Sequence, residues 1–178
     1  MGIVIASLLM VAILLVGFLF LSQGMMNVID STTLSGKEAG KIIAERALTA
    51  VDIATAAYNQ GGGHSEVVLQ NTGNVTLGEF SDWDVFEHYR NPNPNNYQQF
   101  VRLTYNSTYP PGNNEWAKQG IYLDQAATIP EEYEPGRLNP GEYVKLGLKV
   151  SQSIKNSTWV YIKVSTENGV SDNSQYKR

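Results

Sequence analysis

The chain begins MGIVIASLLMVAILLVGFLFL, and its first charged side chain is Asp30. As a helix rising ~1.5 Å per residue, that run matches a hydrocarbon core of ~30 Å. A helix apolar on every side has no face for water, so lipid or other protein must cover it. Three readings compete. A secretory signal peptide needs a basic leader region, a shorter apolar core and a small-residue cleavage site. None is present, and Ser22-Gln23-Gly24-Met25 would be cleaved poorly. A plain anchor carries Lys or Arg on its cytoplasmic flank, yet the nearest is Lys37, beyond the far end. In the third reading residue 1 is a processed end: a basic leader directs insertion, a peptidase removes it, and the uncapped rod later bundles with copies of itself. Met1 as an initiator methionine stays compatible with the same residues.

Helical spacing continues beyond the apolar run. Ala39, Ile42, Ile43, Ala47, Ala50, Val51, Ala54 and Ala57 recur every three or four residues, with Lys37, Glu38, Lys41, Glu45, Arg46 and Asp52 elsewhere on the wheel. Ser35-Gly36-Lys37-Glu38 fits a capping box, so the helix either restarts there or runs through with a bend. The spacing predicts a helical region over residues 1–60, roughly 80 Å long if unbroken. Asn59-Gln60-Gly61-Gly62-Gly63-His64 is expected to end it and act as a hinge.

Residues 61–178 switch to a period of two. Glu66–Gln70 and Val75–Phe80, around the turn Asn71–Asn74, are expected to pair as a hairpin. Further strands are predicted at 83–89, 100–105, 143–150 and 159–164. Val144, Leu146, Leu148 and Val150 share one face, as do Val160, Ile162 and Val164. One apolar and one polar face per strand predicts two stacked antiparallel sheets. The expected fold class is therefore α+β: a long N-terminal helix followed by a β-sandwich of immunoglobulin-like size, a pilin-like architecture. Trp83 and Trp159 are expected in the core or in cross-strand pairs. Trp116 falls in an expected loop, as a subunit contact or as a plug at the sandwich end.

The chemistry of the side chains excludes more than it offers. No cysteine occurs, so disulfides and thiolate metal sites are out. A net charge of −4 with no basic stripe gives no sign of nucleic-acid binding. His64 and His88 lack further ligands at metal-site spacing. The carboxylates of Glu131-Glu132-Tyr133-Glu134 are those of a solvated loop sooner than a calcium site. With no nucleophile–base set and no phosphate or dinucleotide loop, no catalytic, cofactor or metal residue is assigned and no enzyme is expected. Three N-x-[ST] sequons mark Asn74, Asn106 and Asn156 as candidate N-glycosylation sites.

The uncapped apolar start, the amphipathic continuation and the segment Val67-Val68-Leu69-Gln70-Asn71-Thr72-Gly73-Asn74-Val75-Thr76-Leu77 together resemble archaellins, the archaeal-type flagellins, and related archaeal type IV pilins. Matching residues are confined to about the first 80, although the architecture of the whole chain is similar. Bacterial type IV pilins carry a glutamate at the fifth mature position, where this chain has Ile5; the departure agrees with the archaellin side. The resemblance implies a precursor cut by a prepilin-type peptidase, transient membrane insertion, and assembly by a cytoplasmic ATPase into an extracellular homopolymer for motility or adhesion. Ile3, Leu8, Leu9, Val11, Ile13, Leu15, Val16, Phe18 and Phe20 would pack the filament core. The alternative is a membrane-anchored, stator-like accessory protein of the archaellum whose β-domain grips the cell envelope. A minor pilin or tip adhesin is a third reading.

Overall fold

In a computed structural model the described residues are 2–93 and 97–178, and within the N-terminal helix side chains are described at 8–21, 23 and from 36 onward. Contacts divide the chain into two compact units, Met1–Ala44 and Glu45–Arg178. Helix α1 spans Gly2–Leu48 without a break at Asp30–Gly36. The part of its apolar run with described side chains is the fourteen residues 8–21. Among the described residues no helix is long and apolar enough to cross a membrane.

The helical region expected over 1–60 stops twelve residues early, and the reason is local. Val51, Ile53 and Thr55 are β-branched and fit a pleated surface better than a helix; with Tyr58 they lie in strand β1, Val51–Asn59. The last turn of α1 is held by its surroundings. Thr49 folds its hydroxyl back onto Glu45 O at 2.8 Å. The turn after β2 (His64–Asn71) supplies a donor to a carbonyl the ending helix cannot satisfy, Asn74 N–H to Leu48 O at 2.8 Å, and another to a residue linking α1 to β1, Gly73 N–H to Ala50 O at 3.0 Å. A Cβ at Gly73 would stand 2.5 Å from both Leu48 O and Ala50 N. Only glycine lets the two backbones come this close.

The expected glycine hinge is instead the turn of the β1–β2 hairpin. Gly63 N–H donates to Asn59 O at 2.8 Å, and Gly63 has φ +67°. The remaining strands are β3 (Asp84–Arg90), β4 (Gln98–Tyr105), β5 (Glu115–Tyr122), β6 (Tyr143–Lys149), β7 (Trp159–Ser165) and β8 (Ser171–Lys177).

The expected fold class, a long helix followed by two stacked sheets, is overturned by the strand order. All eight strands belong to one sheet, β1-β2-β6-β5-β4-β3-β7-β8. Its antiparallel halves are joined where β4 and β5 run parallel for only two residue pairs, Thr104↔Glu115 and Tyr105↔Trp116. At the far side β1 and β8 approach each other and the sheet nearly closes. A side chain completes that seam: Ile53 N–H in β1 donates to Asp172 Oδ2 in β8 at 2.8 Å, blunting edges that would otherwise invite pairing. The hairpin expected between Glu66–Gln70 and Val75–Phe80 does not form. β2 pairs with β1 and β6, and the later segment makes an isolated bridge outside the strands, Leu77↔Leu138, to the loop between β5 and β6.

Inside, one apolar core draws on every strand, with Val67, Leu69, Val85, Leu103, Trp116, Val144, Leu146, Leu148 and Ile162 among its buried members. Trp116 lies in β5, fully buried, so it is neither a loop residue nor a subunit contact. Trp83 is buried and its indole N–H donates to Glu167 Oε2 at 2.5 Å, whereas Trp159 points outward. A polar knot crosses this interior. Ser65 Oγ on β2 lies 2.6 Å from Glu87 Oε1 on β3 and 2.6 Å from the Tyr176 hydroxyl on β8. Glu87 is fully buried and its Oε2 has no hydrogen-bond partner. Burial dominates there and pushes the Glu87 carboxyl up to about 7, against hydrogen bonds from Ser65 and Tyr176.

Candidate interaction surfaces

Among the described residues each unit leaves an apolar surface open to solvent. On α1, Leu8, Leu9, Val11, Ile13, Leu15, Val16, Phe18 and Phe20 are between 51% and 72% exposed. The side chain of Ile3 lies outside the described residues. Exposed positions run all round this segment, so no single stripe is left to a neighbour. Monomeric soluble proteins do not leave such contiguous apolar area uncovered.

The second surface went unread in the sequence as a site. Pairing in the β4–β3–β7–β8 half fixes which side chains share its outer face. Phe86 pairs with Arg102 and Lys163, and His88 with Phe100 and Tyr161. The rings touch in series. Phe86 stacks on Phe100 at 5.4 Å between centroids, His88 lies 6.4 Å from Phe100, and His88 stacks on Tyr161 at 5.7 Å. Phe100 is 70% exposed although it is the central ring. Shallow grooves of about 380 Å³ and about 260 Å³ flank the His88–Tyr161 stack, the second bordered by Trp159 and Arg90. Around the rings stand Arg90, Arg102, Lys163 and Lys177, with one carboxylate, Asp84, paired to Arg102 at 2.5 Å. Four cations against one anion leave this face at +3 in a chain of net −4. Phe86 and His88 alternate with Val85, Glu87 and Tyr89, so β3 carries rings on both faces. That lack of a polar side was the available signal.

The other residues singled out in the sequence scatter. His64 opens β2 and is buried beneath Tyr109, whose hydroxyl lies 2.9 Å from its Nε2. Nearby, Lys145 Nζ sits 2.9 Å from Glu66 Oε2. Partial burial would raise the Glu66 carboxyl, but hydrogen bonds from Asn59 and Lys145 outweigh it and hold it below its ordinary value. His64 is therefore a packing residue on one half of the sheet, and His88 belongs to the outer ring series on the other. Glu131 Oε1 accepts backbone N–H groups from Tyr133 and Glu134 at 2.7 and 3.2 Å, shaping its own loop. Among the described residues no three or more His, Asp or Glu side chains converge as metal ligands. Asn74 and Asn156 are exposed. Asn106 is occupied: its side-chain amide donates to Glu115 Oε2 at 2.7 Å and its Oδ1 accepts Thr108 N–H at 2.9 Å.

No protein-family model matches the chain, and no curated protein does. Solved structures do. The archaellum periplasmic stator protein FlaG from Sulfolobus acidocaldarius is 21% identical with TM-score 0.51, over 72% of this chain and 100% of that one. The periplasmic stator complex of FlaF and FlaG from the same organism is 21% identical with TM-score 0.48, over 71% of this chain and 87% of that one. The archaeal flagellum of Methanospirillum hungatei strain JF1 is 13% identical with TM-score 0.57, over 97% of this chain and 90% of that one. Matching 97% of the chain requires α1 as well as the β unit; at these identities what is shared is the fold. The structural neighbours of this chain are thus archaellum proteins.

Proposed function

We propose that the chain is the structural subunit of an extracellular helical filament, an archaellum or archaeal-type pilus, polymerising through α1 for motility or adhesion. The observation that carries this reading is the apolar rod itself, exposed on every side from Leu8 to Leu21. Many copies that bundle their rods replace water or lipid contacts with protein contacts. If each rod buries on the order of 1,500 Å² of apolar surface at ~25 cal/mol per Å², the gain relative to water is about 40 kcal/mol. Such a subunit leaves its polymer very slowly. The likeness to the Methanospirillum filament, which takes in nearly the whole chain, supports this assignment. Membrane insertion before assembly, a prepilin-type peptidase and an assembly ATPase belong to the same proposal.

Leu9→Asp or Leu15→Asp is expected to abolish filaments while the β unit still folds, read from the fluorescence of buried Trp83 and Trp116. Filaments of normal abundance from either variant would refute bundling. One observation favours a second reading, a stator-like accessory protein: FlaG is covered over its full length. Electron microscopy of sheared surface filaments, with mass spectrometry of their major band, separates the two. A stator subunit would be absent from that band.

A further inference from the structure

The filament reading leaves the outer face of β4–β3–β7 without a role, and a polymer held by rods alone has no need of it. Exposed stacked rings ringed by cations form a surface whose partner should be apolar at its centre and acidic at its edge. This chain carries such an element. The β5–β6 loop, residues 123–142, holds Asp124, Glu131, Glu132, Glu134 and Glu142 against Arg137 alone, a net of −4. Its apolar residues also point to solvent: Leu123 and Ile129 are about half exposed and Tyr133 is 94% exposed. The loop is ordered by its own bonds. Asp124 Oδ1 accepts Thr128 N–H at 2.9 Å and Ile129 N–H at 2.7 Å. From β5, Lys118 Nζ donates to Pro135 O at 2.7 Å. Little conformational freedom therefore remains to be lost on docking.

We infer that the Glu131–Glu134 loop of one copy seats Tyr133 against the Phe86–Phe100–His88–Tyr161 face of a second copy, its carboxylates meeting Arg90, Lys163 and Lys177. The two surfaces differ and leave from different halves of the sheet. The contact is therefore head-to-tail, and repetition gives an open chain of β units. It rests on the filament reading and supplies the lateral contact of the sheath.

The chain has no cysteine, which makes crosslinking clean. Asn173→Cys lies beside Lys163 in the β7–β8 register. Gly136→Cys adds a Cβ where nothing lies within 4 Å. Cells co-expressing the two full-length single-cysteine chains should yield mixed disulfide dimers from mildly oxidised filaments, and neither chain alone should. Lys163→Glu and Glu132→Lys should each lower the mixed dimer about tenfold, and the two together should restore it. Intact filaments that give no mixed dimer, or that ignore both charge reversals, overturn the contact while the filament reading stands. Capture of an envelope component by the Asn173→Cys chain in place of a second copy overturns it too. A wild-type chain that never polymerises removes the filament reading, and this contact with it.

Discussion

Glu87 gives the fold a pH dependence that can be worked out in advance. Its carboxyl ordinarily titrates near 4.5 and in the folded chain is pushed up to about 7, chiefly by burial. The folded state therefore holds the proton more tightly than the unfolded one. Stability is full below pH 4.5, falls as pH rises toward 7, and levels off above it. At ~1.4 kcal/mol per pH unit the loss across that window is about 3 kcal/mol, a large share of a typical margin. Glu87→Gln keeps the shape and a neutral acceptor for Ser65 but has nothing to titrate. The full chain in mild detergent, unfolded by urea and followed by the fluorescence of Trp83 and Trp116, should lose about 3 kcal/mol between pH 4.5 and 8 as wild type and almost none as Glu87→Gln. Above pH 7 the variant should be the more stable protein. Equal slopes for the two would mean that Glu87 carries no proton in the core, and the account of the Ser65–Glu87–Tyr176 knot would fail.

Gly73→Ala should cost about 2 kcal/mol or more, because its new Cβ meets Leu48 O and Ala50 N, backbone atoms that cannot step aside cheaply; thermal melts check this, and a loss below 0.5 kcal/mol would argue against close packing of the turn on the helix end. If the chain is N-glycosylated, peptide mass spectrometry should find sugar at Asn74 and Asn156 and little at Asn106, whose amide nitrogen is engaged by Glu115; full occupancy at Asn106 would contradict that pairing.

Legibility followed the regularity of the backbone. β6 and β7 were visible because Val144, Leu146 and Leu148, and Val160, Ile162 and Val164, fall on every second residue and are all buried. β1 and β5 were missed where a bulge breaks that rhythm, between Ile53 and Thr55 and between Lys118 and Gly120. Past the first bulge the inward positions move from Ile53 to Ala56 and Tyr58, and the shifted spacing imitates a helical stripe through Ala54 and Ala57. β8 offered no apolar pattern, since Tyr176 is its one buried hydrophobe. Local alternation also could not tell one nearly closed sheet from two stacked sheets. That distinction rests on two residue pairs between β4 and β5 and on one aspartate at the β1–β8 seam. The Asn71–Asn74 turn was legible as a turn, yet its role, receiving the end of α1, depends on a neighbour more than twenty residues upstream.

The two apolar surfaces respond differently to salt, and that difference separates their tasks. Raising ionic strength from ~0.1 M to ~1 M shortens the screening length from ~10 Å to ~3 Å. Rods packed through Leu8–Leu21 hold no charge among those residues, so screening leaves them alone. The sheath contact opposes a +3 face to a −4 loop at the rim, where screening is strongest. Filaments at high salt should therefore stay intact while the mixed disulfide between Asn173→Cys and Gly136→Cys copies declines. Filaments that dissolve as salt rises, with the crosslink still forming in the released material, would reverse the assignment: charge at the sheath, and not the apolar rods, would then be holding the polymer together.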